Sequence, residues 1–167
     1  AAILSVDAQE INKYEVDLRS VENDQVQVTY YVPATGESEV HYYFPKIIPG
    51  TYNISDFGKF IHDLKAFDEK GKELPVEKVT ENDYLIKKAK KLHRITYLVE
   101  DTYDTELTHN VYPMGGTNIE AGANFVIGTP GFFGYMPESR EEPFEITVLK
   151  PAGFYGSTAL VAQNTNA

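Results

Sequence analysis

Apolar and polar residues alternate along several short stretches of this chain, and a period of two is the pattern of a half-buried β-strand. Tyr14, Val16 and Leu18 would share one face of a strand, with charged residues on the other face. The same alternation recurs at residues 26–32 and 40–44, separated by polar turn residues. Three such strands in succession predict an antiparallel meander.

Five further stretches of this kind follow, at residues 59–67, 74–79, 84–88, 93–99 and 144–148. Tyr, Phe, Val, Ile and Thr, which favour pleated surfaces, are common in them. Many short strands at this spacing predict an all-β fold. We expect an antiparallel β-sandwich or a saddle-like open β domain, with one short helical turn and a long Gly-rich loop.

Residues 44–64 interrupt the alternation with two prolines and a Pro-Gly pair. Proline cannot donate to a strand ladder, so Pro49 argues against a continuous strand, and Gly50 permits the turn that follows. Tyr52 and Phe57 are then available as plugs against the sheet. Asn53 or Ser55 is predicted to cap a single helical turn that runs through Phe57.

A second irregular region, residues 113–137, holds half of the twelve glycines together with several large apolar residues. A loop of this length inside a compact domain is uncommon and often functional. The glycines do not have the spacing of a dinucleotide fingerprint or a P-loop, and no Lys follows them. We therefore predict a loop packed by its own aromatic residues.

Charge and composition exclude several classes of function. The formal net charge is −10, which opposes binding to nucleic acid, although residues 59–94 hold ten of the fifteen Lys and Arg. The chain has no Cys, so it has no disulfides or thiolate metal sites. No apolar run reaches the roughly 18–20 residues of a membrane span.

The sequence contains no recognised catalytic motif. A His-Glu-x-x-His zinc motif and a Gly-x-Ser-x-Gly elbow are both absent. His41, His62 and His93 lie in strand-like stretches and are interpreted as packed or surface residues. His109 lies in a loop close to Asp104 and Glu106, and a metal site there would need further ligands from elsewhere.

The order of strand, Pro49-Gly50-Thr51-Tyr52, Ile54-Ser55-Asp56-Phe57 and strand resembles the N-terminal domain of glycyl aminopeptidase-like enzymes, family 61 of the metallopeptidases. The run 66–74, the strand 92–101, the stretch 117–125 and the segment 144–159 fit the same pattern. The resemblance extends over roughly residues 11–160. Its motifs are structural, and the Pro-Gly-x-Tyr segment is the most specific of them.

The resemblance implies a non-catalytic N-terminal domain of an aminopeptidase-like zinc metallopeptidase. In that family the zinc ligands and the general base belong to a following thermolysin-like domain, and no position here matches their motif. It implies no catalytic residue, metal ligand or cofactor in this chain, with zinc in a catalytic domain that the chain does not include. We expect a lead-in at 1–12, one β domain at 13–160 and a ragged end at 161–167.

In related two-domain aminopeptidases the N-terminal domain forms one wall of the substrate cleft. By analogy, this chain would do the same. The residues that this analogy suggests for holding the free amine of a peptide substrate are Asn118, Glu120 and Asn124. The expected partners of this N-terminal domain are the downstream catalytic domain of the same polypeptide and the peptide substrate. We expect an exported protein, periplasmic or secreted, and a cytoplasmic location stays open. The start without Met does not separate these cases.

Two alternatives remain from the sequence. One is a free-standing β-sandwich module that binds a carbohydrate or a protein through exposed Tyr and Phe. The other is a standalone enzyme that uses His109 and the acids near it.

Overall fold

The computed structural model describes residues 11–108 and 110–161. They form a mostly β domain whose strands alternate in burial as the sequence pattern predicts. The strands are β1 (Asn12–Glu22), β2 (Gln25–Tyr31), β3 (Glu39–Tyr43), β4 (Ile61–Asp68), β5 (Glu73–Leu74), β6 (Val76–Thr80), β7 (Asp83–Lys87), β8 (Leu92–Glu100), β9 (Asn118–Glu120), β10 (Asn124–Val126) and β11 (Phe144–Leu149). One short helix, α1 (Thr129–Phe132), and four 3₁₀ turns, Phe57–Phe60, Ala89–Lys91, Pro113–Gly115 and Pro137–Ser139, complete the described structure.

The strands form three open sheets. The large sheet has the order β11-β1-β2-β8-β4-β5, a three-stranded sheet has the order β3-β7-β6, and β9 pairs with β10. All pairs are antiparallel except β11 with β1, which is parallel. The all-β, open architecture predicted from the alternation is therefore confirmed, with one parallel pair at the edge of the large sheet.

The prediction that the first three strands form a meander is wrong for β3, which does not pair with β2. β1 and β2 form the expected hairpin, but β3 pairs with β7 in the smaller sheet. β2 has no free edge for β3, because β8 occupies its other side over the whole of residues 25–31. Local alternation marks a strand but does not say which distant strand takes its edge.

The core lies between the large sheet and the smaller one and is rich in buried tyrosine. Its fully buried large side chains include Tyr14, Tyr30, Tyr42, Phe44, Ile86, Ile95 and Tyr97. The rings contact one another in series, with centroid distances of 4.4 Å from Tyr14 to Tyr30 and 5.7 Å from Tyr30 to Tyr42. This series joins the two sheets through aromatic contacts.

Each of these tyrosines has a buried partner for its hydroxyl group. Tyr14 Oη donates to the carbonyl of Gly134 at 2.7 Å, and Tyr97 Oη donates to the carbonyl of Phe132 at 2.7 Å. Tyr30 Oη donates to Asn12 Oδ1 at 2.5 Å. The first two bonds fasten the Gly-rich segment to the large sheet.

The Gly-rich segment holds more regular structure than the predicted loop. Residues 113–137 contain the β9–β10 hairpin, α1 and a 3₁₀ turn. Phe132 and Phe133 are buried in the common core and do not pack only within the segment. The tyrosine hydroxyl bonds explain the difference, because they provide distant partners that the local sequence does not show.

Between β3 and β4, residues 46–56 form a loop that closes at its neck. Lys46 O accepts hydrogen bonds from Ser55 N at 2.9 Å and Asp56 N at 3.0 Å, and Pro45 O accepts one from Phe57 N at 3.1 Å. The tip turns at Pro49 and Gly50, where Gly50 has φ 89° and Thr51 N donates to Ile48 O at 3.2 Å.

This geometry corrects two expectations for the loop. Tyr52 is 97% exposed at the tip, so the prediction that it plugs the sheet is wrong. Phe57 lies beyond the neck and is fully buried. Asp56, the residue before the 3₁₀ turn at Phe57, makes no side-chain cap, and the amide of Gly58 donates to Asn82 Oδ1 at 2.9 Å. The predicted capping residues Asn53 and Ser55 instead donate to Asn110 O at 3.1 and 3.4 Å.

We predict that stability falls steeply in alkaline solution. Burial raises the pKa of Tyr14, Tyr42 and Tyr97 above the ordinary 10.0. Below about pH 10 these phenols are protonated in both states, so they add no pH dependence. Above it the unfolded chain loses protons that the folded chain keeps, and each tyrosine lowers the free energy of unfolding by about 1.4 kcal/mol per pH unit.

Urea unfolding at several values between pH 8 and 11.5 measures this slope. The Tyr42→Phe variant, which lacks one of the three phenols, should show a shallower slope above pH 10. A free energy of unfolding that stays constant from pH 9 to 11.5 would contradict the buried phenols.

Candidate functional site

The three residues suggested for substrate binding lie together on the β9–β10 hairpin. Asn124 is directly opposite Glu120, and Val126 is opposite Asn118. Since strand side chains alternate between faces, Asn118, Glu120 and Asn124 share one face of the hairpin. Glu120 and Asn124 are exposed and Asn118 is half-buried, while Ile119 points the other way and is 1% exposed.

A tight turn closes the hairpin. Gly122 has φ 79°, a left-handed conformation that favours glycine, and Ala123 N donates to Glu120 O at 2.9 Å. The turn fixes the register that places Asn124 beside Glu120.

The buried carboxylate of Asp101 anchors the hairpin to the end of β8. Asp101 is 2% exposed, and its Oδ2 accepts a hydrogen bond from the amide of Ile119. Its Oδ1 accepts one from the amide of Tyr103 at 2.5 Å. A buried carboxylate satisfied by backbone donors is a strong local constraint. The hairpin is therefore held through its backbone, and its outer face stays free.

Two buried threonines extend this anchor. Thr102 Oγ1 accepts a hydrogen bond from Thr117 N at 2.8 Å, and Thr102 N donates to Thr117 O at 3.0 Å. The sequence marks Asp101 only as one of several acids near Asp104, because its partner Ile119 lies eighteen residues away. The anchor is therefore a part of the site that sequence reasoning missed.

Two buried side-chain atoms next to the hairpin have no hydrogen-bond partner within the described ranges, Thr117 Oγ1 and Asn118 Nδ2. Buried polar groups are normally paired, so each such atom invites an explanation. Asn118 Nδ2 belongs to one of the suggested site residues.

The hairpin belongs to one end of the domain, which we call the loop end and define as residues 47–54, 110–116 and the hairpin. Residues 47–54 and 110–116 are in close contact. A Cβ on Gly115 would lie 2.7 Å from Ile48 Cδ1, and Asn53 Nδ2 donates to Asn110 O at 3.1 Å. The exposed apolar side chains of the loop end are Ile47, Tyr52, Ile54, Tyr112, Met114 and Val126.

Among residues 11–108 and 110–161, no group of three or more His, Asp or Glu is placed to hold a metal ion. His41 Nδ1 lies 2.7 Å from Asp83 Oδ1, and His62 Nε2 lies 2.5 Å from Glu100 Oε2. His93 packs edge-on against Tyr31. His109, the centre of the standalone-enzyme alternative, lies outside the described residues.

The comparison with protein families decides the relationship. The profile of the Peptidase M61 N-terminal domain matches residues 13–167. The chain belongs to this family. The resemblance found in the Pro-Gly-x-Tyr segment is thereby confirmed over nearly the whole chain.

A solved structure shows the same fold as this M61 N-terminal domain. It is an aminopeptidase N family protein from Idiomarina loihiensis, with a TM-score of 0.63 and 19% sequence identity. The match covers 82% of this chain and 22% of that protein, so the chain spans about a fifth of its length. A comparison with the curated proteins finds no match.

None of the helical segments in the described part of the M61 N-terminal domain has the length and apolar character that a membrane crossing needs.

We predict that Asp101→Ala loosens the hairpin. The substitution leaves the amides of Ile119 and Tyr103 without an acceptor. The expected loss is about 2–5 kcal/mol of unfolding free energy, since each buried unsatisfied donor costs roughly 1–3 kcal/mol. Urea unfolding measures this loss, and hydrogen exchange at Ile119 shows where it acts.

Asp104→Ala is the matched control, because Asp104 is an exposed acid three residues away. It should change stability by less than about 0.5 kcal/mol. Equal effects of the two substitutions would show that Asp101 does not anchor the hairpin.

Proposed function

We propose that this domain is the non-catalytic N-terminal part of an aminopeptidase-like zinc metallopeptidase and forms one wall of its substrate cleft. In this proposal the outer face of the β9–β10 hairpin meets the amino terminus of the peptide substrate. Glu120 receives the protonated amine, and Asn118 and Asn124 support it through their side-chain amides. The observation that carries the proposal is the grouping of these three residues on the free face of an anchored hairpin.

Family membership supports a non-catalytic role for this domain, with catalysis in another part of the parent polypeptide. The family is an N-terminal domain of peptidases by its description, and the solved relative with this fold is a much longer aminopeptidase N family protein. The proposal assigns the zinc to another part of the parent polypeptide, as the family description of a peptidase N-terminal domain suggests. There it would polarise the scissile carbonyl and activate water.

The chemistry of the hairpin fits an amine rather than an anion. The carboxylate of Glu120 attracts a cation, and amide oxygens on both sides can accept hydrogen bonds from an ammonium group. The net charge of −10 also favours the approach of a positively charged substrate end. A free α-amino group distinguishes an aminopeptidase substrate from an internal peptide segment.

The path of the chain after β11 also supports a position of the hairpin near the catalytic part. The Phe154 ring lies 5.7 Å from that of Phe125 on β10, centroid to centroid. This contact brings the segment that follows β11 back to the hairpin. A domain joined to this segment would therefore lie within reach of the hairpin.

We predict that Glu120→Gln in the full-length polypeptide weakens recognition of the substrate amine. The change keeps the shape of the side chain and removes its charge. We expect kcat/KM for a substrate with a free amino terminus to fall about 10–100-fold, in line with the roughly 1.5–3 kcal/mol of a charged hydrogen bond. Activity on the N-acetylated analogue should stay at its low wild-type level.

Glu69→Gln is the control, because Glu69 is an exposed glutamate in the turn between β4 and β5. It should leave kcat/KM unchanged. Equal turnover by the Glu120→Gln and Glu69→Gln variants would remove Glu120 from the substrate site.

The free-standing binding module remains the alternative. Tyr52 and Tyr155 are 97% and 89% exposed, which gives such a module aromatic contacts. Five of the twelve tyrosines, however, are buried in the core. Peptidase activity of the parent polypeptide would support the peptidase domain, and its absence would support the binding module. Export of the protein remains a separate prediction.

A further inference from the structure

An apolar groove of about 600 Å³ lies beside the edge of the large sheet. Ile47, Ile48 and Pro49 line one side of it, and Phe144 and Ile146 of β11 line another. The groove thus runs from the loop end to the edge strand of the sheet.

The face of β11 that continues the core layer is exposed. In the parallel register Phe144, Ile146 and Val148 lie beside Asn12, Tyr14 and Val16 of β1. The three β1 residues are at most 2% exposed, whereas the β11 residues are 41–45% exposed. The Phe144 ring still stacks on Tyr14 at 5.8 Å, which places it on the core side. The apolar layer of the large sheet therefore continues from β1 onto β11, where it is no longer buried.

The outer edge of β11 is also long and unpaired. β5, at the far edge of the same sheet, has two residues, whereas β11 has six. Glu145 is the one charged residue of β11, and no strand of the described residues pairs with its outer edge. Natural sheets usually shield exposed edges by shortness, charge or a covering element.

We propose that this groove and the exposed face of β11 dock the downstream catalytic part of the same polypeptide. The inference rests on the proposed function, and it names the surface on which the two parts meet. A domain seated in the groove contacts Ile47, Ile48 and Pro49, so it lies next to the loop end. Docking here brings the catalytic part to the same end of the domain as the hairpin that carries Glu120.

Three observations favour this occupant over a second copy of the chain. Each copy carries a formal charge of −10, which opposes self-association. The family is an N-terminal domain, and the solved relative with this fold is more than four times longer than the part matched here. The segment after β11 also exposes Tyr155, Leu160 and Val161, each by 80% or more.

Thiol labelling tests the proposal in the full-length polypeptide. Ile146→Cys and Thr147→Cys introduce thiols at adjacent positions of β11, both exposed in this domain but on opposite faces of the sheet. The chain has no Cys of its own, and peptide-resolved mass spectrometry assigns the label to each position. We expect the thiol at position 146 to react at least tenfold more slowly than the thiol at position 147.

The protection should not depend on protein concentration. Equal labelling at the two positions would overturn the proposal. Protection at position 146 that disappears on dilution would also overturn it, because such protection would come from a second copy on this face. Labelling does not depend on peptidase activity. The two proposals can therefore fail separately. If position 146 is protected but Glu120→Gln leaves kcat/KM unchanged, the docking surface stands and the role of Glu120 is rejected.

Discussion

Two hydrogen bonds from buried tyrosines hold the Gly-rich segment on the large sheet. Tyr14 and Tyr97 donate to the carbonyls of Gly134 and Phe132, and their rings belong to the aromatic series that joins the sheets. A buried carbonyl without a donor is costly, so the hydroxyls fix the path of the segment as well as its depth. The hairpin, α1 and the groove all lie on or next to this segment.

The strands were predictable from the sequence because alternation is a local property. Tyr14, Val16 and Leu18 alternate with exposed or half-buried residues, as β1 shows. Strand partners were not, because pairing depends on distant segments: β3 leaves β2 for β7, and β11 joins β1 in parallel. Tyr52 and Phe57 look alike in the sequence, and only the hydrogen-bonded neck at Lys46 decides which one is buried.

The candidate site was predictable only in part. The resemblance to the family suggested Asn118, Glu120 and Asn124, and the register of the hairpin brings them onto one face. The Asp101 anchor and the exposed core face of β11 had no local signal, since each is defined by contacts across the fold. The domain combines an anchored polar hairpin with an uncovered apolar groove, an arrangement suited to completing a site together with another domain.

Hydrogen exchange of the Tyr14→Phe/Tyr97→Phe double variant measures whether the tyrosine hydroxyls position the Gly-rich segment. We expect the amides of Phe133 and Tyr135 to exchange at least tenfold faster than in the wild type, with a smaller change in β2 and β8. Tyr155→Phe, at an exposed position, should leave exchange unchanged. Wild-type exchange at Phe133 and Tyr135 in the double variant would contradict the account.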